Sequence, residues 1–359
     1  MTILFFSRLF YPHIGGVEKH VLEISRPLVK KGYSVTVLTE KFERNLLNTD
    51  EIDGIKILRI DSGRENWFKK FRVWKNLWRY RKLIKKSDII HIHDVFFWYL
   101  PFKFLYPLRK VFTTFHGYEG DAIPGIKARL MHKIAEVLSG GNICVGDFLK
   151  KWYGTKPNYV TYGAVEILPI NTNTTNKYQL ANKRFKIVFL GRLEEETGIM
   201  EYLKALLMLK NKGVMFDLTV LGDGKLRKNA EKFSKNNKIN AEFKGFVGNT
   251  DKYFRGCDFV FVSRYLGILE ALAYKKFVFA HHNNLIKKDY LEMTPFAKFI
   301  SISSDYKQLT LSIEYFLKNE AEKENMINNG YDWVKEKTWD NLVNMHISLW
   351  NKSHSLNLS

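Results

Sequence analysis

Five loops of this sequence carry residue types that act on anionic or hydroxylated ligands. In "VSRYLGILEALA" (262–273), Glu270 stands on what reads as the first turn of a helix. A carboxylate there accepts protons from two neighbouring hydroxyls, or simply complements the helix dipole. In "FLGRLEEETGIMEYL" (189–203), Arg192 falls where a strand stops, and Thr197-Gly198 would open the next helix. A planar cation at a strand end suits a diphosphate, although Glu194, Glu195 or Glu196 offers it an ordinary ion pair. "LGDGKLRKN" (221–229) places Gly222, Gly224 and Lys225 in a turn that either approaches a nucleotide or is only a good turn. "FYPHIGGVEKH" (10–20) sets Gly15 and Gly16 before a helix, where backbone N–H groups can meet an anion or merely close a tight turn. His91, His93 and Asp94 have metal-like spacing, but the alternation of faces along a strand sets that reading aside, and no metal is expected. No G-x-G-x-x-G follows the first strand, which disfavours a dinucleotide cofactor.

These loops follow short apolar, β-branched runs that alternate with helical stretches. The first set is 2–6, 34–39, 55–60, 88–93, 111–115 and 142–145; the second is 186–190, 216–222, 241–247, 258–263, 277–282 and 297–303. Runs without polar alternation predict strands covered on both faces, hence parallel α/β sheets. Between the sets lies "NTNTTNKYQLANKR" (171–184), polar and read as a linker. The expected organisation is two doubly wound Rossmann-like domains facing each other across a cleft, residues 1–170 and 185–334, with a C-terminal helix (335–359) packing back on the first. Ligands of such sheets bind at the carboxyl ends of the strands, where these loops lie.

The chain has 359 residues, 45% of them hydrophobic, enough for two cores, and a formal charge of +20. Such a charge calls for an anionic partner: phosphorylated small molecules, an anionic membrane surface or nucleic acid. Its two cysteines, Cys144 and Cys257, read as buried free thiols in a reducing compartment. The apolar start has neither a basic n-region nor a small-residue cleavage site, and no uncharged apolar run reaches about 18 residues, so a cytoplasmic protein without a transmembrane helix is expected.

Taken in order, "GGVEKHVLEISRPLVKKGYSVTVLT", "HIHD", "FTTFHG", "GRLEEETG", "VLGDGKLR", "FKGFV" and "ILEALA" resemble the landmarks of glycosyltransferase family 4, retaining enzymes of the GT-B fold. The resemblance runs from residue 2 to about 345. It implies that Gly15 and Gly16 lie beside the donor diphosphate and that His116 stands near the transferred sugar. It further implies that Arg192 neutralises the diphosphate and Glu270 binds the ribose hydroxyls. A helix start after Gly267 would leave the N–H groups of Ile268 and Leu269 free for phosphate.

Two landmarks depart from the family. The position eight before Glu270 is Val262, so the first of the usual two glutamates is missing, and Thr197 takes the place of the usual lysine. Arg264 and Lys225 are the candidates to replace the lost cation.

"RENWFKKFRVWKNLWRYRKLIKK" (64–86) holds ten Lys and Arg against one Glu. Trp67, Phe71, Trp74 and Trp78 recur as one helical face, which suits an anionic membrane interface or, alternatively, a core face of the first domain. No nucleic-acid module accompanies it. The combined expectation is a transferase moving a sugar from a nucleotide diphosphate-sugar to a lipid-linked or glycan acceptor without a cofactor, on the inner face of the cell membrane. The runner-up is a non-catalytic nucleotide-sugar-binding relative.

Overall fold

The computed structural model describes residues 1–117, 123–169 and 184–355. The chain forms two compact units: residues 1–163 with 339–359, and residues 164–338. The first is built on eight strands: β1 (Thr2–Ser7), β2 (Ser34–Glu40), β3 (Thr49–Ile52), β4 (Ile55–Ile60), β5 (Ile89–His93), β6 (Val111–Phe115), β7 (Gly141–Val145) and β8 (Tyr159–Thr161). Their order is β3-β4-β2-β1-β5-β6-β7-β8, parallel throughout except for β3 against β4. Strand β1 is buried from Ile3 to Ser7, and β5, β6 and β7 along their whole length, which is why their sequences show no polar alternation.

The second unit holds six parallel strands: β9 (Arg184–Leu190), β10 (Met215–Leu221), β11 (Ala241–Gly245), β12 (Phe259–Phe261), β13 (Phe277–His281) and β14 (Ser301–Ser303), in the order β11-β10-β9-β12-β13-β14. Its core is aromatic. Tyr202 stacks on Phe261 at 4.4 Å, and its hydroxyl reaches Ser263 and the carbonyl of Phe279. Among the parallel strands, the order reverses between β1 and β5 in the first sheet and between β9 and β12 in the second. Loops leaving those paired strands splay apart and open a crevice.

Most linker residues, 171–183, lie outside the described residues. Arg184 is already strand, paired with Met215 and bonded to Asp217 at 3.0 Å. The helix Trp339–Ser355 belongs to the first unit, where Leu342, Val343, Leu349 and Trp350 are buried. Gly141 on β7 has no side chain because Leu349 Cδ1 would stand 2.7 Å from its Cβ. Both cysteines are buried, which pushes each thiol up to about 12, far from reactive thiolate.

Candidate functional site

Arg192 follows β9 and Arg264 follows β12, so the crevice of the second sheet brings together two cations 72 residues apart in sequence. Both reach the same oxygen, Oε1 of Glu196, Arg192 Nη2 at 3.0 Å and Arg264 Nη2 at 3.2 Å. Arg192 is 60% exposed while Glu196 is 18% exposed, so the carboxylate is the inner member of the trio. Glu196 thus holds two guanidinium groups at one place, and the planar fork of each suits carboxylate or phosphate oxygens. The ion pair expected as the alternative for Arg192 is therefore present, and shared with Arg264.

Thr197 does not face a ligand. Its buried hydroxyl lies 2.5 Å from the Arg192 carbonyl and 2.8 Å from that of Glu194, closing the turn that carries Arg192. A short hydroxyl side chain favours such local backbone bonds, so it does not replace a lysine. The loop bearing Gly222, Gly224 and Lys225 braces this turn. Leu193 N–H donates to the Asp223 carbonyl at 2.9 Å, and a Cβ on Gly222 (φ +141°) would stand 1.9 Å from the Gly191 oxygen. Gly224 approaches the Leu193 oxygen in the same way. Both glycines thus serve loop packing. Lys225 is 88% exposed with Glu194 at 3.8 Å.

The helix after β12 runs Tyr265–Ala273, earlier than a start after Gly267. The Tyr290 hydroxyl accepts the Tyr265 N–H at 2.9 Å, and the two rings stack at 3.9 Å, so that tyrosine fixes the helix entry. Ile268 N–H donates to the Arg264 carbonyl at 2.9 Å and Leu269 lies deeper in the helix, so neither amide is open to phosphate. The early amides beyond Tyr265 belong to Leu266 and Gly267. Gly267 lets the helix pack close, since its Cβ would meet Val262 Cγ2 at 2.6 Å. Glu270 is half-buried in the second turn, not the first. A pocket of about 390 Å³ in this unit is lined by Glu195, Gly198, Ile199, Glu201, His281 and Ser304. Arg192, Arg264 and Glu270 lie outside that lining.

In the first unit, Gly15 caps the helix Gly16–Lys30 in extended conformation, and its missing Cβ leaves room for the Glu18 carboxylate at 2.2 Å. That carboxylate, 12% exposed, covers the helix N-terminus and lies 2.9 Å from His13 Nδ1. Beyond β5, Asp94 accepts the backbone N–H of His116 at 2.8 Å, and His93 Nδ1 meets His116 Nε2 at 2.8 Å. Residues i and i+2 of a strand share a face, so His91 and His93 stack at 5.0 Å, contrary to the alternation argument. His20 and His346, from two helices, complete a group of five imidazoles, four buried and His116 half-buried. Burial pushes His116 down to about 3 and His346 to about 4, and holds His20, His91 and His93 well below their ordinary value. All five are neutral at pH 7. Ligand atoms of His20, His93 and His116 lie within 4.8 Å of one another, the one set of metal-like donors among the described residues.

Comparison with known proteins assigns the family. The glycosyltransferase family 4 model matches residues 14–156 and the glycosyl transferases group 1 model residues 171–333. Together they span both units. The chain is a GT-B glycosyltransferase of the family 4 type.

A relative described as an uncharacterized glycosyltransferase of Methanocaldococcus jannaschii is 24% identical over 354 residues, covering 93% of this chain and 94% of its own. Sucrose-phosphate synthase of Thermosynechococcus elongatus shares the fold with a TM-score of 0.76 at 14% identity, over 99% of each chain. Anabaena HepE, solved in complex with UDP and glucose, gives 0.69 at 14% identity, over 96% of this chain and 98% of its own.

The glycosyltransferase's basic stretch is not one helix. It forms Lys69–Trp78 and Arg81–Lys86, with Trp67 ahead of the first. The core face is Val73, Leu77 and Ile84, while Trp67, Phe71 and Trp78 are exposed at 83%, 56% and 49%. Trp74 is half-buried and donates its indole N–H to the Phe97 carbonyl at 2.9 Å. Phe104, Leu105 and Leu108 are exposed as well. Among the described residues no helix is long and apolar enough to cross a membrane.

Proposed function

We propose that this glycosyltransferase moves a hexose from a nucleotide diphosphate-sugar to a lipid-linked or glycan acceptor, with retention of configuration. The observation that carries the reading is the convergence of Arg192 and Arg264 on Glu196 at the β9/β12 crevice. Two fixed cations match a diphosphate, and Arg264 supplies the charge that Thr197 does not. HepE, a fold relative, binds UDP and glucose. In the proposed reaction the bond between the sugar C1 and the β-phosphate oxygen breaks, and the acceptor oxygen bonds to C1 on the same face. The acceptor proton passes to the departing phosphate, while the arginines stabilise the charge that develops there. Glu270 holds the ribose and His116 the sugar. No metal or cofactor takes part. The exposed aromatics and surrounding cations of residues 64–86 hold the protein on an anionic membrane surface, near a lipid-linked acceptor.

The absence of the first glutamate favours the second reading, a relative that binds a nucleotide sugar without transfer. Thermal stabilisation by a panel of nucleotide sugars tests the binding, because a ligand at 100 times its dissociation constant adds about 2.7 kcal/mol. Arg264→Ala should lower affinity for the stabilising nucleotide by about 1.5–3 kcal/mol, the scale of a hydrogen bond to a charged group. Unchanged affinity places the diphosphate elsewhere. Acceptor turnover followed by proton NMR of the product's anomeric carbon position separates transfer from mere binding and reports its stereochemistry.

A further inference from the structure

We propose that His93 is a positioning residue whose Nδ1–H donates to Nε2 of His116, fixing His116 as the Nδ1–H tautomer and so as a hydrogen-bond donor towards its ligand. The proposal rests on the reading that His116 meets the sugar, and it assigns how that residue is prepared.

Neighbouring bonds settle two of the other tautomers first. Trp350 has only a donor and lies 3.0 Å from His91 Nδ1, so His91 carries its proton on Nε2 and donates to Thr114 Oγ1 at 2.7 Å. His346 Nδ1 lies 2.9 Å from the Leu342 carbonyl, which accepts only, so its Nε2 is a bare lone pair. For the His93–His116 contact two arrangements remain. If His116 donated from Nε2, the proton of His93 would sit on its own Nε2, which is buried without a partner. If His93 donates from Nδ1, that same Nε2 is only an unpaired acceptor. Buried donors without partners are the rarer defect in folded proteins, and the second arrangement avoids one. The backbone helps: Asp94 holds the His116 N–H, so the ring stands at a fixed distance from β5.

The same imidazoles invite a metal, and the spacing argues against one. Two nitrogens bound to a tetrahedral cation at about 2.0–2.1 Å stand about 3.3 Å apart. His93 Nδ1 and His116 Nε2 are at 2.8 Å, the separation of a hydrogen bond.

Long-range proton–nitrogen NMR of ¹⁵N-histidine-labelled full chain at pH 7.5 reads the tautomers directly and needs no ligand, so it stands apart from the success of any transfer assay. His116→Gln and His93→Asn assign the signals among the ten histidines. The expected result is His116 protonated at Nδ1 with a bare Nε2. His93→Asn, whose amide N–H sits about where Nδ1–H was, should keep that tautomer, and His93→Leu should lose it. An Nε2–H tautomer in the wild type overturns the proposal even if His93→Leu does not fold. So would stoichiometric binding of added zinc by the wild type that His93→Asn abolishes, because the cluster would then be a cation site.

Discussion

Glu270 carries the heaviest assignment on one side chain. With Val262 standing where a first glutamate would be, it is the carboxylate left in "VSRYLGILEALA". Its place in the second turn of Tyr265–Ala273, six residues after Arg264, separates it from the helix N-terminus and removes dipole complementation as its reason to exist. A ribose remains a fitting partner, because two vicinal hydroxyls donate to one carboxylate. Glu270→Gln keeps the shape but turns one acceptor oxygen into an NH2 donor. Affinity for the nucleoside diphosphate alone should fall by about 1–3 kcal/mol, and affinity for the sugar-bearing donor by the same amount. Calorimetric titration of both ligands against both proteins checks this. A loss confined to the sugar-bearing ligand would assign Glu270 to the sugar, and no loss in either would remove it from the site.

The helices that carry these residues show where sequence is transparent. Strands such as β1, β5 and β13 are legible because both faces are covered, and "ILFF", "IIHIH" and "FVFAH" contain little that prefers water. The edge strand β3, "TDEI", has no such signature, and only its antiparallel pairing with β4 makes it a strand. Arg192 is legible as a strand-end cation, but Glu196 as a shared partner is not, since Arg264 arrives from 68 residues further along. The helix entry at Tyr265 depends on a hydroxyl from Tyr290, and the imidazole group draws His20 and His346 from separate helices, so no local spacing announces either. In the basic stretch the period was visible, whereas the face it presents was not. Val73 and Leu77 take the core, which frees the aromatics. Trp67→Ser, Phe71→Ser and Trp78→Ser together should release the protein from vesicles containing anionic lipid while leaving its unfolding midpoint within a few degrees, because exposed side chains contribute little to folding. Flotation and thermal denaturation on the same samples check both halves. Loss of folding would mean the aromatics are packed, and retained binding would place the membrane contact elsewhere. Raised salt should also weaken binding, with screening over about 8 Å at physiological ionic strength.

The whole molecule carries a formal charge of +20 and buries neutral imidazoles in both units, and these features act together as pH falls. In the first unit His132 packs between Phe115 at 4.5 Å and Tyr153 at 4.0 Å. In the second, His281 lies 1% exposed against Tyr202, with no hydrogen-bond partner for either ring nitrogen. Burial lowers each to about 4. An unfolded histidine titrates near 6.5, so below that pH the unfolded chain binds protons that the folded chain refuses. Stability therefore decreases as pH falls from about 6.5 to about 4, with a slope of about 1.4 kcal/mol per pH unit for each such histidine, and flattens below the folded value. Self-repulsion of a chain growing more positive adds to the same trend. The difference between parent and variant removes that common part. His132→Phe replaces one flat ring with another between the same two neighbours and has nothing to protonate. Urea unfolding at pH 7, 6 and 5 should show it close to the parent at pH 7 and progressively more stable than the parent below 6.5, by about 1.2 kcal/mol at pH 5 relative to pH 6. Parallel curves for the two proteins over that window would mean that His132 takes its proton in the folded chain as readily as in water.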